Sequence, residues 1–190
     1  HAEQIPTFFF FVNHEIRGFY SAALPSLLDQ PGGKTYGAFS WGDTRFVILD
    51  CGEDKPDDQP VYYGLNDFSA FRQQQYDFLK EEKKSRDFKS ANRRVLVNHI
   101  PLWGNDDKYQ PSSELWTPLL KEGSFDIGLS GHTHRFRYHP AEDVSNPFPI
   151  CIGGAPNVSS ATMMVLSKKG NSLSLRVLNA KGEELGAWSL

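Results

Sequence analysis

Cysteine is almost missing from this 190-residue chain: Cys51 and Cys151 are the only two. With no CxxC pair, a cysteine-rich zinc site is excluded and no disulfide is required. Buried free thiols are the expected state. Long apolar runs are missing too. The longest, Phe8 to Val12, falls far short of the ~20 residues a membrane-spanning helix needs. Neither charge sign dominates, since 20 Lys+Arg against 23 Asp+Glu leave a net charge of −3. The basic runs are short pairs (Lys83-Lys84, Arg93-Arg94, Lys168-Lys169) that read as solvated faces, so no nucleic-acid surface is expected. There are no repeats, no low-complexity tract and no linker.

What is present suits one domain with a sizeable core: 39% apolar and 13% aromatic residues, including 14 Phe. No targeting segment is visible. The chain opens on His1 rather than Met, however, and is expected to be a piece of a longer polypeptide.

Along the chain, Pro6 to Val12 predicts a strand buried on both faces. A loop or short helix is expected around Phe19 to Leu28, closed by Gln30-Pro31-Gly32-Gly33. Tyr36–Trp41 and Arg45–Asp50 predict a hairpin across Gly42-Asp43. Residues 51–66 form a polar, Pro- and Asp-rich loop long enough to be a lid or rim. Asp67 caps a predicted helix over Phe68–Lys84. Strands Val95–Asn98 and Phe125–Ser130 flank a helix over Ser113–Lys121. Four further strands follow: Pro149–Gly153, Thr162–Ser167, Ser172–Asn179 and Glu184–Ser189. Strand–helix alternation with a β-rich tail predicts one layered α/β domain over residues 1–190.

Four of the six histidines fall in three loops, each directly after an apolar strand-like run. These are Asn13-His14-Glu15, His99 within Asn98-His99-Ile100-Pro101, and Gly131-His132-Thr133-His134. An α/β sheet carries its functional loops at the carboxyl ends of its strands, so these segments can meet at one edge. Neutral imidazoles with an amide oxygen suit a borderline metal ion. Gly131 lets backbone approach closely beside the two histidines at i and i+2. Taken singly, His132 and His134 also read as surface or hydrogen-bonded histidines, His99 as a satisfied histidine at a strand end, and Asn13 as an Asx turn.

The order and spacing of the three loops resemble the calcineurin-like metallophosphoesterase superfamily, which includes the purple acid phosphatases. The family's third block reads GNH(D/E), its fourth holds a lone His after a strand, and its fifth reads GHxH. The resemblance implies a layered sandwich of the metallophosphoesterase type, with this chain as the C-terminal part of the catalytic domain. It further implies that Asn13, His99 and His132 ligate one metal and His134 a second. His14 would contact the phosphoryl group and protonate the leaving oxygen, Glu15 would position His14, and Arg17 would reach the phosphate. The cofactors implied are two divalent or trivalent ions (Fe, Zn or Mn), the substrate a phosphate ester, and the parent an exported or periplasmic phosphatase.

Two departures stand out. Val12 replaces the Gly that precedes the family's Asn, and the DxH and GDxx(D/N/Y) blocks have no counterpart among the twelve residues before Asn13. Gly42-Asp43 cannot replace them, since it follows Asn13 and sits in a hairpin turn. Asn13, His99 and His132 therefore bring no negative charge to a cation. The chain alone is expected to hold an empty or partly filled site and to be a weak enzyme. An interaction domain that does not hydrolyse, or a one-metal hydrolase, are the competing readings. Trp103, Tyr62 and Tyr63 read as core or loop residues rather than a substrate rim, and His139 as structural.

Overall fold

The computed structural model describes residues 8–15, 20–21, 23–28 and 30–190. A six-stranded sheet runs in the order β1-β2-β3-β4-β6-β5. Its members are β1 (Gly37–Trp41), β2 (Thr44–Leu49), β3 (Arg93–Asn98), β4 (Ile127–Ser130), β5 (Arg137–His139) and β6 (Ile150–Ile152). The inner strands β2, β3, β4 and β6 are parallel to one another, while β1 and β5 close the two edges antiparallel. The hairpin across Gly42-Asp43 forms as expected, pairing Trp41 with Thr44.

Strand periodicity then separates two cores. On one face Val47, Leu49 and Leu96 pack with Leu79, Trp116 and Leu120. These come from helices α2 (Phe68–Glu82) and α4 (Pro111–Glu122). On the other face Val95, Ile127 and Cys151 meet Leu173, Leu175 and Val177. The last three belong to the antiparallel sheet of β7 (Thr162–Lys169), β8 (Ser172–Asn179) and β9 (Glu184–Ser189). Val95 and Leu96, adjacent in β3, point to opposite cores, as a period of two requires. Helices, mixed sheet and small sheet thus make three layers.

Helix α2 starts where the sequence places it, with the Asp67 carboxylate accepting from the Ala70 amide at 2.9 Å. A second carboxylate reinforces that end: Asp57 accepts from the amides of Phe68 (3.0 Å) and Ser69 (3.1 Å). The loop 51–66 is thereby fastened to the helix.

Three expectations change. Residues 8–12 form no strand, and Pro6 lies outside the described residues. Phe8, Phe9 and Phe10 are 51%, 58% and 41% exposed. Phe8 stacks on Phe39 of the edge strand at 4.7 Å, and the Phe9 carbonyl accepts from the Gln30 amide. Side-chain stacking thus stands where a backbone ladder was expected. The loop or short helix expected around Phe19 to Leu28 has helix only at α1 (Leu24–Leu27) among the described residues, and Phe19 lies outside them. Helix α3 (Arg86–Ser90), capped by Ser85, and the three-residue strand β5 were not anticipated.

Candidate metal centre

Strands β3 and β4 are parallel neighbours, with Val97 opposite Leu129. The residues that follow their carboxyl ends therefore emerge side by side. The Gly131 amide donates to the His99 carbonyl at 3.0 Å, tying the two loops together. A Cβ on Gly131 would stand 3.3 Å from His99 Nδ1, so the absence of a side chain is what lets the imidazole lie there. The His99 and His132 rings meet edge to face with centroids 5.3 Å apart. His132 and His134 both hold positive φ (67° and 58°). That conformation is unfavourable for residues with a side chain and concentrates at functional sites.

Asn13, His14 and Glu15 form a tight turn. The Glu15 amide donates to the Val12 carbonyl, and the Glu15 carboxylate accepts from the Val12 amide at 2.9 Å. Asn13 is 5% exposed, and its side-chain oxygen Oδ1 is buried with no hydrogen-bond partner among the described residues. His14 is exposed at the rim. A cavity of about 480 Å³ is lined by Val12, Asn13, His14, Asp54, Lys55, His99, His132 and His134.

Five of the seven residues named from the sequence therefore face one space. Glu15 braces its own turn, and no ion pair joins it to His14 among the described residues. Arg17 lies outside the described residues. His139 does not line the cavity and bonds Asp143 at 2.6 Å. Trp103 is buried against Phe148, Tyr62 is buried beside Phe68, and Tyr63 is solvent-exposed.

Asp54 and Lys55 were missed, and they change the electrostatics. The expected donors Asn13, His99 and His132 bring no charge of their own, and a carboxylate stands beside them in the cavity wall. Lys55 Nζ pairs with Asp54 Oδ1 at 2.5 Å, while Asp54 Oδ2 lies 3.6 Å from His132 Nε2. Burial works to raise the Asp54 pKa. Hydrogen bonding with Lys55 and Glu53 and the positive charge of Lys55 outweigh it, so the carboxyl ionises below its usual range. Burial, reinforced by the neighbouring His132, His14 and His134, brings the His99 pKa down to about 4. His99 is accordingly neutral at physiological pH, the state in which an imidazole offers a lone pair. The signal for Asp54 was present in the sequence: residues 51–66 leave the carboxyl end of β2, a third parallel strand beside β3.

The donor chemistry suits a metal ion. An orphaned buried amide oxygen and two imidazoles, one held neutral by burial, share one cavity. Among the described residues no three His, Cys, Asp or Glu side chains group closely enough to hold an ion by themselves. The set named from the sequence needs only two of that class for one ion, because its third donor is the Asn13 amide.

Residues 2–136 match the calcineurin-like phosphoesterase family. The chain belongs to that family. Its fold is similar to that of the purple acid phosphatase PPD1 from yellow lupin (Lupinus luteus) seeds. That similarity has a TM-score of 0.58 and 15% identity, covering 84% of this chain and 33% of the lupin chain. The chain thus spans about a third of that relative's length. A second solved structure, described as GAP50, the anchor in the inner membrane complex of Plasmodium, is 17% identical. It covers 82% of this chain and 52% of its own, with a TM-score of 0.49. No curated protein matches. Family membership makes this a phosphoester-hydrolase-type domain of a family that uses divalent metals. Among the described residues, no helix is long and apolar enough to cross a membrane.

Proposed function

We propose that the chain is the C-terminal part of a metal-dependent phosphoesterase that hydrolyses phosphate esters. The observation that carries this reading is Asn13 Oδ1, without a hydrogen-bond partner among the described residues and buried in the wall of the same cavity as His99, His132 and His134. A buried polar atom without a partner costs about 1–3 kcal/mol, a cost that a cation in the cavity would relieve.

In this reading Asn13, His99 and His132 hold one cation, and His134 turns toward a second whose remaining ligands come from upstream of this chain. When bound, such a pair supplies Lewis acidity, drawing charge from the phosphoryl oxygens and acidifying water. The chain's own residues do the rest. Glu15 holds the turn that sets Asn13 inward and His14 at the rim. From there the His14 imidazole contacts the phosphoryl group and gives its proton to the departing ester oxygen. Burial keeps His99 unprotonated, and Arg17 belongs to the proposal as a phosphate contact.

The experiment compares this chain with a longer one that includes the preceding residues, assayed on a chromogenic phosphate ester with Mn, Zn or Fe. Strong turnover is expected from the longer chain only, and it should be lost in Asn13→Ala and His99→Ala. Full activity of the longer chain despite both substitutions would overturn the reading. The alternative is a binding domain that does not hydrolyse. That alternative predicts no turnover from either chain.

A further inference from the structure

The loop that leaves β2 is held far more firmly than a surface connection requires. Arg72 and Gln75 of α2 are 2% and 0% exposed, and both serve this loop. Arg72 Nε donates to the Cys51 carbonyl at 3.0 Å, and its terminal nitrogen donates to the Glu53 carbonyl at 2.8 Å. Gln75 accepts from the Asp50 amide at 2.8 Å and donates to the Asp50 carbonyl at 2.6 Å. Gly52 adopts φ +72°, and a Cβ there would come within 2.4 Å of the Phe68 ring. Residues 50–53 are thus a rigid platform, and the next residue on it is Asp54.

Asp54 does not project into water from that platform. Its side chain is 21% exposed and that of His132 is 16% exposed, with Asp54 Oδ2 3.6 Å from His132 Nε2. That distance is an electrostatic contact, slightly too long for a hydrogen bond. An imidazole that gives one nitrogen to a cation commonly gives its other N–H to a carboxylate. The carboxylate fixes the tautomer and strengthens the donor. It would also return to this cavity the negative charge that Asn13, His99 and His132 lack, and a buried cation needs such compensation.

We propose that Asp54 is the positioning residue of the site: its carboxylate, 3.6 Å from Nε2 of His132, draws the ring proton to that nitrogen, leaving Nδ1 as the lone pair offered to a divalent cation. The inference rests on the reading of His132 as a cation donor. Lys55 competes for the same carboxylate through its other oxygen, and so weakens the arrangement.

Two measurements on the whole chain test this. Long-range proton–nitrogen NMR of the metal-free protein, with 15N-labelled histidines, reports the His132 tautomer without needing a metal. Titration with Zn²⁺ and with Mn²⁺ reports affinity. The wild type is expected to show the Nε2–H tautomer. Asp54→Ala should lose that preference and weaken cation binding by about 10- to 100-fold. Asp54→Glu should restore part of both, and Lys55→Gln should bind as tightly as wild type or tighter. The platform does not depend on the Asp54 side chain, so thermal unfolding of Asp54→Ala should stay close to wild type.

A His132 tautomer and cation affinity that ignore Asp54→Ala would overturn the proposal. A wild-type chain that binds no cation would match a site left empty without its upstream ligands. In that case the tautomer still decides the contact: lost in Asp54→Ala, it upholds Asp54 as the partner of His132; unchanged, it refutes it.

Discussion

Replacing Arg72 with Met should destabilise the chain by about 2–4 kcal/mol, through the loss of its guanidinium from the interior. Arg72 is 2% exposed. It donates to two buried main-chain carbonyls, those of Cys51 and Glu53, and reaches the Tyr109 hydroxyl at 3.4 Å. Its charge lies between the Phe68 and Tyr109 rings, 5.7 Å from each centroid. Met keeps the aliphatic stem and its packing but leaves both carbonyls unsatisfied, at about 1–3 kcal/mol each. Removing a buried cation recovers part of that cost, which places the net in the lower and middle part of the summed range. With a urea m-value of about 2 kcal/mol/M, the unfolding midpoint should fall by roughly 1–2 M. Tryptophan fluorescence suits the assay, because Trp116 is fully buried and donates to the Arg72 carbonyl at 3.1 Å. Arg72→Lys should recover only part of the loss, since a single ammonium cannot reproduce the two-pronged donor. A Met variant within about 1 kcal/mol of wild type, below the cost of even one unsatisfied carbonyl, would refute the reasoning.

Two further outcomes follow from the same framework. Asp57→Ala should cost about 1 kcal/mol, because the amides of Phe68 and Ser69 at the start of α2 lose their acceptor. Burial works to raise the Asp57 pKa, but hydrogen bonds from Ser69 and Phe68 and the Arg72 charge bring it below its usual value. Its stabilisation is therefore complete above the unfolded carboxyl pKa of about 3.9 and fades as pH falls through the lower folded pKa. Urea titrations should show the wild-type–variant gap narrowing at strongly acidic pH, and a gap that widened there would contradict the assignment. Gly131→Val should weaken Zn²⁺ binding by roughly tenfold or more, because its Cβ would press on His99 Nδ1 from 3.3 Å. Gly131→Ala should have a smaller effect, and calorimetric titration of the three chains measures the order.

The parts of the fold readable from the sequence are those whose pattern is local. β2, β3 and β4 are short apolar runs that end in chemically distinctive residues. β8 and β9 alternate between clear turns, and Asp67 announces the start of α2. From parallel strands alone it follows that the loops after β3 and β4 lie together, and the cavity they line includes Asn13, His14, His99, His132 and His134. What escaped the sequence depends on tertiary partners. Phe8–Phe10 reads as a buried strand because apolar content does not reveal whether a neighbouring backbone is available to pair. β5, three residues long, is an edge that exists only through β6. Asp54 looked like one acid among several in a polar loop. It is singled out by Arg72 and Gln75, about twenty residues on, whose buried side chains hold the preceding residues in place. Glu15 is expected to position His14; its carboxylate accepts from the amide of Val12, three residues back, a contact that the sequence did not announce.

The central question is whether the cavity bounded by Asn13, His99, His132 and His134 is a cation site. Crystals of the chain soaked in Mn²⁺ or Zn²⁺, with diffraction collected at the metal's absorption edge, would locate the ion directly. The account predicts an anomalous peak about 2–2.5 Å from Asn13 Oδ1 and from nitrogens of His99 and His132, at partial occupancy without the upstream residues and with the Asp54 carboxylate facing His132. A map with no peak in the cavity at saturating metal, and Asn13 Oδ1 hydrogen-bonded within the protein instead, would contradict it.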